Sequence, residues 1–283
     1  MPVRGAPTAR KLRLGAELRK LRERAGLTVT EAGRLLGVRQ AQISNMEAAR
    51  FGVSSDRIRT LAHHYSCTDS SLIDALAHMA TQRHRGWWEE YRGILPNALL
   101  DLAEMEHHAT ALHTAYTAHI PGLLQIPDHA REIFRQGIPQ APPPEVEHRT
   151  SHRIKRQAVL HRAQPVPYRT VIHEAALRIR VGGPDVARAQ LRHILEMSEH
   201  PHITVRVIPF DVGAFPGSGQ SVTFACGPVR QLDTVHLDQS HGPVLLDAEA
   251  QLERYRLLLM RMEAVALPPE QSRDHILRIA RHL

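Results

Sequence analysis

The chain is poor in sulfur and in rings, with two cysteines, Cys67 and Cys226, and 4% aromatic residues among its 283. Without a CxxC or CxxxC spacing, the two thiols suggest neither a disulfide framework nor a thiolate metal site. No apolar run comes near the roughly 18 residues that a spanning helix needs, so no transmembrane segment is expected. Residues 1–13 are basic but lack the apolar stretch of a signal peptide, and a cytoplasmic protein is expected. GxSxG, the P-loop and the dinucleotide glycine pattern are all missing, because Pro216-Gly217-Ser218-Gly219 lacks the second required spacing. Nothing argues for catalysis, and no enzyme is expected.

What is present is ordinary in bulk: 42% hydrophobic and 23% charged residues exclude a disordered or collagen-like chain. The charge is unevenly placed. Residues 1–60 hold 13 Lys and Arg against 5 Asp and Glu, whereas residues 61–283 hold 23 against 24. A compact positive module on a near-neutral body is the electrostatic footprint of a nucleic-acid binder that carries a second function.

The basic module has helical periodicity. Leu14, Leu18, Leu21 and Ala25 recur on one face, and Gly26 stops the run. Thr28 caps a second helix, with Glu31 completing a capping box and Val29, Ala32, Leu35 and Leu36 leading to Gly37. A third helix follows over residues 39–47, in which only Ile43 and Met46 are large and apolar. Its amide side chains are poor core material but suit base edges, because Gln and Asn bond bidentately to adenine in the major groove. Ser54 or Ser55 starts a fourth helix with Ile58, Leu61, Ala62 and Tyr65 inward. Leu72, Ile73, Leu76 and Met79 suggest a fifth, closing an all-α domain over residues 1–80.

The stretch Gly26-Leu27-Thr28 through Gly37-Val38 to Ile43-Ser44-Asn45-Met46-Glu47 resembles the helix-turn-helix of the phage-repressor and XRE-type family. The resemblance implies that residues 29–36 position and residues 39–47 recognise. Gln40, Ala41, Gln42 and Asn45 would face bases, and Arg39, Ser44 and Arg50 would contact phosphates. It also implies a structural pair between Arg22 on the first helix and Glu47 at the end of the third. Val29 stands where the family often carries a phosphate-clamping glutamine.

Residues 81–283 read as a second domain. Trp87, Trp88 and Tyr91 cluster near its start, either as a core plug or as a ligand wall. One helix is expected over residues 97–118, ahead of the apolar turn that contains Leu123, Leu124 and Gln125. Further helices are expected near residues 128–136, over 145–162 (highly charged) and over 184–200. Alternation places five strands, around residues 166–172, 203–207, 222–226, 235–237 and 244–246, with helices at 248–266 and 269–283. The sum is an α+β domain with a small sheet covered by helices.

Three phrases are similar to the domain of unknown function that follows the helix-turn-helix in many actinobacterial XRE-type regulators: Pro121-Gly122-Leu123-Leu124-Gln125, Glu174-Ala175-Ala176-Leu177 with Val181-Gly182-Gly183-Pro184, and Ile203-Thr204-Val205 to Ile208-Pro209-Phe210. His173 stands where that family commonly has an acidic residue. The resemblance implies a transcription regulator, often encoded beside a small partner protein and sometimes likened to an antitoxin.

Twenty histidines raise a metal question. His148 and His152 are four apart on an expected helix, but no HExxH, cysteine ligand or third ligand accompanies them. No metal and no cofactor is expected. The expectation is therefore a homodimeric regulator on a near-palindromic operator in double-stranded DNA, without membrane association. Its second domain responds to a small-molecule effector or to a small neighbouring-gene protein; an antitoxin-like interaction module and an enzyme tethered to DNA are the alternatives. The effector region is placed at Trp87, Trp88, Tyr91, Leu123, Leu124 and Gln125.

Overall fold

The computed structural model describes residues 7–81, 86–239 and 242–283, and residues 1–6, part of the stretch read above for a signal peptide, lie outside them. The chain divides into two units, Met1–Trp87 and Trp88–Leu283.

The first unit is all helix: α1 (Ala9–Arg24), α2 (Val29–Leu35), α3 (Gln40–Glu47), α4 (Ser55–His64) and α5 (Ser70–Thr81). α1, α3, α4 and α5 contribute the apolar faces that their periodicity predicts, whereas in α2 Ala32 is buried and Leu35 is 48% exposed. Leu18, Leu21, Ile43, Ile58, Leu61 and Leu76 are all at most 5% exposed, so five short helices, none stable alone, share one core. Two glycines set how closely they approach. A Cβ at Gly33 would lie 2.9 Å from the Val38 carbonyl oxygen, and one at Gly15 would lie 2.3 Å from that of Glu47.

The second unit contains α6 (Asn97–His108), β1 (Ala111–Tyr116), α7 (Pro127–Arg135), α8 (Pro143–Arg156), α9 (Ala158–His161), β2 (Tyr168–His173), α10 (Glu174–Arg178), α11 (Gly183–Met197), β3 (Ile203–Ile208), β4 (Val222–Cys226), β5 (Thr234–Leu237), β6 (Val244–Leu246), α12 (Glu249–Val265) and α13 (Pro269–Arg281). The strands form one six-stranded sheet in the order β3-β2-β1-β4-β5-β6. β1, β2 and β3 run parallel, while β4, β5 and β6 add antiparallel pairs.

This corrects three expectations. The sheet has six strands, not five, and the helix expected over residues 97–118 ends at His108. Residues 111–116, rich in alanine and without a Gly or Pro break, read locally as helix. They form the strand between β2 and β4 because both neighbours offer ladder hydrogen bonds there, and tertiary pairing overrides a weak local preference. The charged helix expected over residues 145–162 is also divided, between α8 and α9 at Gln157.

Each face of the sheet has its own core. On one, Leu112, Ile172, Ile203, Val205 and Val207 pack with Leu160, Leu191, Ile194 and Ile276 from the helices. On the other, Ala115, Val171, Val222, Phe224 and Val235 pack against Leu252, Leu259 and Met262 of α12. Among the described residues, no helix is long and apolar enough to cross a membrane.

Candidate nucleic-acid interface

The recognition segment is built from its local chemistry. Thr28 caps α2: its Oγ1 accepts from the Glu31 N–H at 3.2 Å, while the Glu31 carboxylate accepts from the Thr28 N–H at 2.7 Å. The box satisfies two otherwise orphaned donors. Gly37, at φ +62°, then turns the chain through a left-handed conformation that costs glycine little. Replacing Thr28 with alanine is expected to remove about 1 kcal/mol from the unfolding free energy of the first unit. Chemical denaturation would check it, with Thr28→Ser avoiding most of the loss.

α3 is fixed from beneath. Ile43 and Met46 are buried at 1% and 8% exposure. At its end, Arg22 of α1 grips Glu47 in a bidentate pair, Nε to Oε1 at 2.6 Å and Nη2 to Oε2 at 3.0 Å, and a third bond runs from Nη1 to the Leu27 carbonyl at 2.7 Å. The Glu47 hydrogen bonds hold the Arg22 pKa above its ordinary value despite desolvation. The Arg22–Glu47 pair implied by the family resemblance is therefore present.

The opposite face of α3 is open. Gln40, Ala41, Gln42 and Ser44 are exposed and Asn45 is partly so. Arg39 is the exposed N-cap and makes no side-chain capping bond, so the first-turn N–H groups of α3 have no cap from it. Arg50, also exposed, follows the helix where the backbone N–H groups of Arg50 and Phe51 both return to the Asn45 carbonyl, at 2.8 and 3.3 Å. One eight-residue helix thus offers amides, a hydroxyl and a positive end on a single unobstructed surface of the first unit.

The six residues singled out in the second part of the sequence are placed differently. Trp87 opens a 3-10 turn, Trp87–Tyr91, and is only partly buried. Trp88 lies edge-on to His107 of α6, with ring centroids 5.0 Å apart. The Tyr91 hydroxyl bonds the Ser151 Oγ at 2.9 Å, and its ring meets His152 edge to face. Leu123 and Leu124 belong to the core. Gln125 is 2% exposed; its Nε2 donates to the Ile120 carbonyl at 2.7 Å, and its Oε1 accepts from Arg153 Nη1 at 2.5 Å. Helix α8 is the common element, supplying Ser151 and His152 to one group and Arg153, with its C-cap Gln157, to the other. It also separates the histidines of the metal question, with His148 exposed and His152 buried against Tyr91.

Sequence reasoning missed the polar interior of the second unit. Arg156 of α8 and Glu106 of α6 form a bidentate pair at 2.8 and 2.6 Å, with side chains 6% and 2% exposed. Tyr168, Thr114 and Thr170 make a hydroxyl chain across β2 and β1, with spacings of 3.0 and 2.8 Å. The available signal was the series Val146, Thr150, Arg153 and Gln157, which recurs at helical spacing and puts polar residues on the packed side of α8.

Comparison with known proteins agrees with this division of labour. A family model described as a helix-turn-helix domain, of XRE type, matches residues 13–76. A second, described as Domain of unknown function (DUF5753), matches residues 99–278. No curated protein and no solved structure matches the chain. The helix-turn-helix marks a DNA-binding regulator, and by the match over most of its length the chain belongs to the DUF5753 family.

Proposed function

We propose that this protein is a sequence-specific transcription regulator that binds a near-palindromic site in duplex DNA as a homodimer, and that its second unit is the responsive part. The observation that carries this reading is the two-sidedness of α3, where Ile43 and Met46 are buried and Gln40, Gln42 and Asn45 are available. A core helix has no use for that pattern, whereas a helix lying in a major groove does. A single helix-turn-helix reads too few base pairs for discrimination in a genome. Two copies about 34 Å apart read two half-sites. A ligand, or a small partner protein, would act by preferring one spacing of the two recognition helices over another.

The contact assignment predicts two kinds of variant. Gln40→Ala and Asn45→Ala each lose about 1–3 kcal/mol of discrimination at particular base pairs, with little change in non-specific binding. Arg50→Ala weakens binding to all sequences alike and lowers the salt slope by about one. Sequencing the DNA fragments retained by the protein, followed by binding titrations at several salt concentrations, checks both. If both kinds of variant behaved alike, the division between base and phosphate contacts would be wrong. If the wild type retained no duplex even at low salt, the regulator reading itself would fail.

A further inference from the structure

Where α7 packs on α8, two polar side chains carry nitrogen atoms without a hydrogen-bond partner. His129 of α7 is 2% exposed, and neither ring nitrogen has a hydrogen-bond partner among the described residues. Burial, reinforced by the charges of Arg153 of α8 and of His119, holds His129 neutral, its pKa lowered to about 4. The Arg153 guanidinium is built in. Its Cζ lies 4.6 Å from the centroid of the Phe134 ring. Gly122 forms a second wall, where a Cβ would come within 3.3 Å of the arginine Cδ and 3.5 Å of its Nε and Cζ.

No carboxylate of the described residues pairs directly with the fixed group, although the Glu106 and Asp238 charges act on it. Nη1 donates to the neutral Gln125 Oε1, and Nε is buried without a partner. Both oxygens of Glu106 are taken by Arg156. Desolvation, reinforced by the Arg156 charge, lowers the Arg153 pKa to about 10, so the side chain is still a cation at neutral pH. Arg153 is partly exposed, but its buried Nε has no hydrogen-bond partner; water could fill that position but would bring no charge. An oxyanion would bring both.

We propose that Arg153, His129 and Gln125 form a receptor site for a small organic oxyanion, a carboxylate or a phosphate, whose charge the guanidinium takes and to which His129 donates a ring N–H. This inference rests on the reading of the second unit as the responsive part, and it names the chemistry of the ligand.

The test is thermal unfolding of the full chain, followed by tryptophan fluorescence at constant ionic strength, with sodium chloride, inorganic phosphate or benzoate added. The wild type is expected to gain about 2 °C or more in one of the two oxyanions and nothing in chloride; which of the two acts separates a phosphate from a carboxylate ligand. Arg153→Met keeps the side-chain stem and removes the charge. It is expected to unfold no earlier than the wild type without added oxyanion, and to lose the oxyanion response. The proposal is overturned if the wild type responds to neither oxyanion, if Arg153→Met responds equally, or if that variant unfolds earlier, which would make the guanidinium a structural strut. Duplex binding, measured on both proteins, keeps the two readings apart. Loss of it in the wild type counts against the regulator, whereas a variant that binds duplex normally and ignores oxyanions supports the site.

Discussion

Gly15→Ala is expected to lower the stability of the first unit by about 3 kcal/mol, and its thermal midpoint by about 15 °C, although alanine is the better helix former. In an open helix the substitution would gain about 1 kcal/mol from propensity. At residue 15 the added methyl would lie 2.3 Å from the Glu47 carbonyl oxygen, 2.9 Å from its carbon and 3.0 Å from the Met46 oxygen. All three atoms are backbone, so no side chain can swing away. α1 has to move off the end of α3, which strains the Arg22–Glu47 pair and the seating of Ile43 and Met46. DNA affinity should fall with stability, because the recognition helix is held from this side. Circular dichroism melts of the variant check the first claim and duplex titration the second. A midpoint equal to or above that of the wild type would mean that the two helices cross less closely than this geometry requires.

The second large effect concerns the interior of the other unit. Glu106→Ala is expected to remove about 3–5 kcal/mol, or about 10 °C, because it leaves the Arg156 guanidinium buried and unpaired. Burial alone would lower the Arg156 pKa, but the charge of Glu106 and its hydrogen bonds outweigh desolvation and hold it above the ordinary value. Removing the carboxylate removes that compensation and keeps the burial. The double substitution Glu106→Leu with Arg156→Met should recover most of the loss, since an apolar pair of similar volume carries no desolvation cost. Urea unfolding of the three proteins decides the matter. A single substitution that cost under about 1 kcal/mol would show a hydrated pair of the surface kind.

The contrast between the two arginines of α8 is instructive. Arg153 and Arg156 are three residues apart on one helix. One has a carboxylate from α6 and the other has only a neutral amide. Their local sequence is equally basic, and nothing in it assigns the counter-ion. Only the packing of α6, which puts Glu106 beside Arg156, gives one of them a carboxylate partner and leaves the other without one.

The sequence alone determined the first unit almost completely, because its signals are local. The Thr28 box, the Gly26 and Gly37 stops and the apolar spacing of α1 to α5 each concern residues within a few positions of one another, and hydrogen bonds within a helix respect that range. Tertiary structure decided what depended on distant partners. β1 became a strand because β2 and β4 flank it, from about sixty and a hundred and ten residues further along the chain. Trp88, Tyr91 and Gln125, grouped in the sequence reading as parts of one effector region, were buried and bonded by α6 and α8. Gly15, unremarkable in its own helix, matters because Glu47 of another helix touches it. Periodicity shows which face of an element is covered, but the atoms that cover it, and the charges they bring, come from parts of the chain that local patterns do not connect.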